Sequence, residues 1–153
     1  MAMKNAFLFP FVLLLNFTLG AAAHANCATD LASLGGLFGV PSFSSSWTET
    51  SETDGKPLVM TITPQGGSLF LRFVKTNKGL WASGTSDICS DGGEVTATIS
   101  EDQIQLGDAA PLILRLTLAG GANFALQLDG NNQLQISTTG WQSVFVPTSS
   151  LNK

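Results

Sequence analysis

The run Leu69-Phe70-Leu71-Arg72-Phe73-Val74 sets Leu69, Leu71 and Phe73 in one row and Phe70, Arg72 and Val74 in the other. A period of two puts alternate side chains on opposite faces of a pleated strand, so the segment reads as a half-buried β-strand. The pattern continues toward the C-terminus. Val95, Ala97 and Ile99 alternate with Glu94, Thr96, Thr98 and Ser100, and Leu112, Leu114, Leu116 and Leu118 alternate with Ile113, Arg115 and Thr117. On this reading the four leucines face a core and Arg115 faces water.

Short breaker clusters separate these runs: Pro64-Gln65-Gly66-Gly67, Asn77-Lys78-Gly79, Asp91-Gly92-Gly93, Gly107-Asp108, Gly120-Gly121, Asp129-Gly130-Asn131-Asn132 and Thr139-Gly140. Gly and Asn accept the positive φ of tight hairpins, so each cluster is a place where an antiparallel strand can reverse. Strands are expected near 45–51, 57–63, 68–75, 80–88, 94–100, 103–106, 111–119, 123–128, 133–137 and 141–146. No stretch carries helical periodicity long enough for a crossover, which argues against a parallel βαβ sheet.

The expected fold is therefore all-β: an antiparallel up-and-down meander closing into a barrel of about eight strands, because closure removes exposed strand edges. A two-sheet sandwich is the alternative, since alternation does not distinguish closure from stacking. Before the strands, Thr29 or Asp30 can cap a short helix through Leu31, Leu34 and Leu37, stopped by Gly39 and Pro41. That helix is placed as a plug for one barrel end.

The N-terminus carries Lys4, an apolar run from Ala6 to Leu19 and the small-residue stretch Ala21-Ala22-Ala23-His24-Ala25. This is the order of a cleavable export signal, with Ala23-His24-Ala25 as the peptidase site. The apolar run is short for a bilayer core, which needs about 20 residues. The expected organisation is a signal peptide over 1–25, an N-terminal segment with the helix over 26–44, a β domain over 45–147 and a tail over 148–153. The product is expected to be soluble, in the periplasm or secreted. An exported chain meets an oxidising environment, so Cys27 and Cys89, the only cysteines, are expected to form a disulfide.

Cleavage at Ala25 removes His24, the only histidine, and the chain has no tyrosine. Ser-His-Asp and Cys-His catalysis and histidine-ligated zinc then have no imidazole to work with. Lys and Arg number 7, Lys4 among them, against 11 Asp and Glu, with no basic cluster to neutralise a run of phosphates; nucleic acid is not an expected partner. Charged residues make up 12% of the chain, about half the usual share, so the surface is built mainly from Ser, Thr, Gln and Asn. The strands are also short for an outer-membrane barrel and lack tyrosine girdles, so an integral membrane protein is not expected.

Trp47, Trp81 and Trp141 fall in three different strands. Indoles spaced around a barrel can line an apolar cavity or simply fill the core. The acids gather at turns: Glu49, Glu52 and Asp54; Asp87, Asp91 and Glu94 around Cys89; Glu101 and Asp102. Two carboxylates in a cleft can hydrolyse a glycoside without histidine, although a turn carboxylate is normally solvated. Neither Asp87–Gly92 nor Asp129–Asn132 has the ligand spacing of a calcium loop, and no metal or other cofactor is called for. Asp87, Asp91 and Asp129, with the three tryptophans, are the candidate contacts for a partner or ligand.

An exported chain with a short N-terminal helix, a tryptophan in the first strand of the meander and successive hairpins resembles the lipocalin-like barrels, including bacterial periplasmic lysozyme inhibitors. The resemblance is one of architecture. Where lipocalins have Gly-x-Trp this chain has Ser45-Ser46-Trp47, and Ser83-Gly84-Thr85-Ser86 lacks the Arg and Tyr of the inhibitors' loop, so no site residue follows from it. The expected function is non-catalytic binding of another exported protein, as an inhibitor or accessory factor, with the loops around Cys89 and Asp129 as contacts. A carrier of a small apolar ligand and a carboxylate-dependent glycosidase are the alternatives.

Overall fold

The computed structural model describes residues 26–50 and 54–153, so the export signal expected over 1–25 lies outside the described residues. In chain order the elements are β1 (Asn26–Ala28), α1 (Leu31–Leu37), β2 (Ser46–Glu49), β3 (Leu58–Gln65), β4 (Ser68–Lys75), β5 (Gly79–Asp91), β6 (Glu94–Ile99), β7 (Gln105–Leu106), α2 (Leu112–Ala119), β8 (Ala122–Leu128), β9 (Leu134–Thr138) and β10 (Trp141–Pro147). Single 3-10 turns cover Glu101–Gln103 and Thr148–Asn152. Strands β2, β3, β4, β5, β6, β8, β9 and β10 pair antiparallel in that order, and β10 pairs back onto β2 through Phe145↔Glu49 and Pro147↔Trp47. This is a closed up-and-down barrel of eight strands, and the sandwich alternative is set aside by that closing pair.

Strand β5 is the longest at 13 residues because it turns a corner of the barrel. Its first part pairs with β4 as far as Leu69↔Ser86, and its second part pairs with β6 from Ser86↔Ile99 onward. The edges this leaves open are filled by β1, through Ala28↔Ile88, and by β7, through Ala82↔Leu106. A register shift at Phe73/Val74 supplies the local bend.

Alternation drives the core. Leu58, Met60 and Ile62 on β3 are buried with Leu69, Leu71 and Phe73 on β4, and Val95, Ala97 and Ile99 on β6 with Phe124 and Leu126 on β8. The turns β3–β4, β5–β6 and β8–β9 stand at one end, which α1 covers; the turns β4–β5 and β9–β10 stand at the other, which α2 covers.

Helix α1 forms as expected, with Asp30 as its cap. Asp30 Oδ1 accepts the Ser33 N–H at 2.7 Å, and Ser33 Oγ accepts the Asp30 N–H at 3.1 Å, a reciprocal capping box. Leu34 packs on the core with no exposed surface. The Ser33 backbone N–H, joined by the Ser33 hydroxyl, holds the Asp30 carboxyl below its ordinary value of 3.8. A lowered carboxylate value means the cap is present above that range and is lost as pH falls through it. Amide exchange in 31–37 is therefore expected to quicken below pH 3.8, and Asp30→Asn, which keeps the acceptor without the charge, to remove that step; an unchanged profile in the variant would refute this account.

One expected strand is wrong. Residues 112–119 form helix α2, and the two-residue alternation of its leucines does not govern their burial. Leu114 and Leu118 are 0% exposed, whereas Leu112 and Leu116 are 71% and 69% exposed. The reason lies partly in the sheet: β6 pairs directly with β8 through Val95↔Leu126, which leaves no slot between them for another strand. Locally, Pro111 precedes the helix, the Arg115 N–H donates to the Pro111 carbonyl at 3.0 Å, and Gly121, at φ 79°, ends it. Arg115 is not displayed to water as expected. It is half-buried, and its guanidinium donates to the carbonyls of Gly107 and Asp108. Gly107 itself lies so close to β5 that a Cβ there would stand 1.5 Å from the Leu80 carbonyl oxygen. The other departure is smaller: the strand expected over 103–106 is only the two-residue β7.

Candidate functional site

The barrel interior is occupied by rings. Trp81 and Trp141 lie 5.4 Å apart between centroids, Phe73 packs edge-on to Trp81 at 5.7 Å, and Phe124 and Phe145 close on Trp141 at 6.3 and 6.5 Å. Trp47 stands apart toward the α1 end, packed against Phe43 with the rings tilted by 38° and centroids 4.8 Å apart, its Nε1 donating to the Ser44 carbonyl at 2.8 Å. The three candidate tryptophans thus divide into a pair at one end and a single ring at the other. Trp47 and Trp81 are buried and Trp141 is half-buried. A void inside the barrel, lined by Leu71, Phe73, Ala97, Phe124 and Ile136 among others and by none of the tryptophans, is about 10 Å³, the space of a single water at most.

Among the described residues Glu49 is the one buried carboxylate, and the sequence reading placed it on a turn. Its parity on β2 aims it inward beside Phe145. There Oε1 accepts the Ser143 hydroxyl and Oε2 accepts the Leu58 N–H at 2.9 Å, so both oxygens are satisfied. The carboxylate ties β2, β3 and β10 together where the closing pair is only a few residues long.

The remaining candidate acids among the described residues are exposed, and Glu52 lies outside those residues. Asp87 projects outward from β5 and accepts the Ser68 hydroxyl at 3.1 Å; Asp91 sits in the β5–β6 turn. Asp129 opens the β8–β9 turn, with Oδ1 accepting the N–H groups of Asn131 and Gln133, each at 2.9 Å. The fold brings the Asp91 and Asp129 turns to the same barrel end, beside an open groove; the tryptophan pair is at the other. No group of three or more His, Cys, Asp or Glu side chains gathers for a metal among the described residues. Cys27 and Cys89 form the expected disulfide, directly opposite one another on β1 and β5.

The feature missed in the sequence is the outer face of α2. Leu112 and Leu116 are one turn apart, and Ile113, 57% exposed, adjoins them, so three large aliphatic side chains share one exposed face. The one charge within the helix, Arg115, is turned to the Gly107 and Asp108 carbonyls. Burying these three side chains would yield about 3–6 kcal/mol, scaled from the usual value for a full aliphatic side chain. Pro111 before the run and Gly120-Gly121 after it were the sequence signals for a helix, and a four-residue spacing then separates Leu114 and Leu118 from Leu112 and Leu116.

No protein-family model, curated protein or solved structure matches this chain. Among the described residues, no helix is long and apolar enough to cross a membrane.

Proposed function

We propose that the protein is an exported, non-catalytic binding module that grips another extracytoplasmic protein, as an inhibitor or accessory factor, through the outer face of α2. The observation that carries this reading is the exposed Leu112, Ile113 and Leu116 triplet on a helix whose other side is fully buried. Such a face is costly in water and becomes favourable once a partner covers it. The disulfide supports an oxidising compartment, and the apolar leader of residues 6–19 supports export. The resemblance to lipocalin-like barrels is one of architecture and supplies no ligand.

Two alternatives receive less support. A carrier of a small apolar ligand needs a cavity of about 300 Å³ or more, far beyond the interior void. A glycosidase needs two carboxylates facing across a cleft, whereas Glu49 is bonded inside the wall and the other candidate acids described are on the surface.

The test is affinity capture from the native extracytoplasmic fraction, run in parallel with wild-type protein and with the Leu112→Ser, Ile113→Ser, Leu116→Ser variant. Exposed positions tolerate such changes within about 0.5 kcal/mol each, so the variant should fold. A protein retained by the wild type should bind the variant about a hundredfold more weakly or worse. If no retained protein discriminates between the two baits, the reading fails.

A further inference from the structure

At the α1 end, away from α2, an open groove of about 510 Å³ runs over the end of β9. Its size falls within the usual range for ligand sites, about 300–1,000 Å³. Its lining includes Gln127, Gln135 and Val144 on the outer sheet face, Asp129 and Gln133 at the turn, and Phe38 just after α1. We infer that this groove is a binding site for a neutral oligosaccharide.

The first argument is charge. Neither Lys nor Arg lines the groove, and Asp129 is its single charged residue. Phosphates, nucleic acids and acidic glycans would meet a carboxylate with no cation to offset it.

The second is hydrogen-bonding capacity. The side-chain amides of Gln127, Gln133 and Gln135 make no hydrogen bond within the described residues. Each amide both donates and accepts, as a sugar hydroxyl does. Gln127 and Gln135 are direct cross-strand partners, and Gln135 is in turn opposite Val144, so two amides and an aliphatic side chain form a row across β8, β9 and β10. Cross-strand neighbours of this kind stand about 5 Å apart at Cβ, close enough to engage adjacent hydroxyls of one chain. At the turn, the bonds to Asn131 and Gln133 fix the orientation of Asp129 through Oδ1 alone, and Oδ2 is left to accept a hydroxyl.

The third is the apolar part. Phe38 is held by stacking on Phe43, with centroids 5.1 Å apart, and Val144 lies at the other limit of the row. Fixed apolar surfaces beside convergent amides suit the C–H faces and hydroxyl rims of a pyranose. A peptide fits less well, because peptide recognition on a sheet uses an unpaired edge and β8, β9 and β10 are each paired on both sides.

The test is a backbone amide NMR titration of the purified protein with cellotetraose, chitotetraose and maltotetraose, alongside a neutral Gly-Ser peptide. At least one glycan should give saturable shifts at Phe38, Gln127, Asp129, Gln133 and Gln135 while α2 stays unmoved. The double variant Gln127→Ala, Gln135→Ala removes one exposed and one half-buried amide on the outer sheet face without touching the core, and should weaken that binding about tenfold through two lost hydrogen bonds. The inference is overturned if none of the three glycans shifts the groove at millimolar concentration, if the variant binds equally well, or if the peptide occupies the groove in preference to all three.

Discussion

Leu114→Ala should destabilise the protein by about 2–5 kcal/mol, whereas Leu116→Ala, two residues away, should change stability by no more than about 0.5 kcal/mol. The contrast follows from the helix. Leu114 has no exposed surface and seals the α2 end of the barrel, so its truncation leaves a cavity in a packed core; Leu116 is 69% exposed and leaves nothing behind. Alanine is also the best helix former, so the Leu116 change does not weaken α2 through propensity. A strand over the same residues would bury both leucines on one face and give two equally large losses. Urea unfolding of the two variants distinguishes the cases, and comparable losses would refute the helical assignment.

That contrast also marks where the sequence is readable and where it is not. Alternation over Leu69–Val74 and Val95–Ile99 identified β4 and β6, because those strands have one buried face and period two is then imposed by the core. The turn clusters located the hairpins for the same local reason: Gly66, Gly67, Gly92, Gly93 and Gly140 all adopt the positive φ expected of them. Leucines at every second position of 112–118 fit one face of a strand, and taken four residues apart they also fit a helix as two pairs on opposite sides; what decides between them is that β6 and β8 already hold each other. That is a fact of topology outside the segment itself. Glu49 was obscured in a similar way, since its neighbours suggest a turn and only the β10–β2 closure carries it inside. Asp91 and Asp129 lie at exposed turns whereas Asp87 lies within β5, and the groove beside Asp129 draws on α1, β6, β8, β9 and β10 together, which no local pattern assembles.

Replacing Cys27 and Cys89 together by serine should lower global stability by about 4 kcal/mol, on the chain-entropy estimate for so long a loop. The bridge spans 62 residues and joins β1 to the second half of β5. Strand β1 alone is three residues on an edge, yet the packing makes the bond more than a clasp on one lip of the barrel. Chain 26–43 runs from β1 through α1 to Phe43, delivering Leu34 to the core and Phe43 to Trp47. If β1 detaches, α1 loses its anchor and the end of the barrel that holds Trp47 opens to water, so the loss is shared by the whole fold. Two measurements separate these outcomes. Urea unfolding should show a lower midpoint for the variant, and amide exchange should rise in β3 and β10 as well as in 26–37. Faster exchange confined to 26–37, with an unchanged midpoint, would show the disulfide to be a local clasp. The same energetics carry a redox dependence: a barrel that depends on this bridge is at its full stability only where thiols are oxidised, so the reduced chain should be the less stable form.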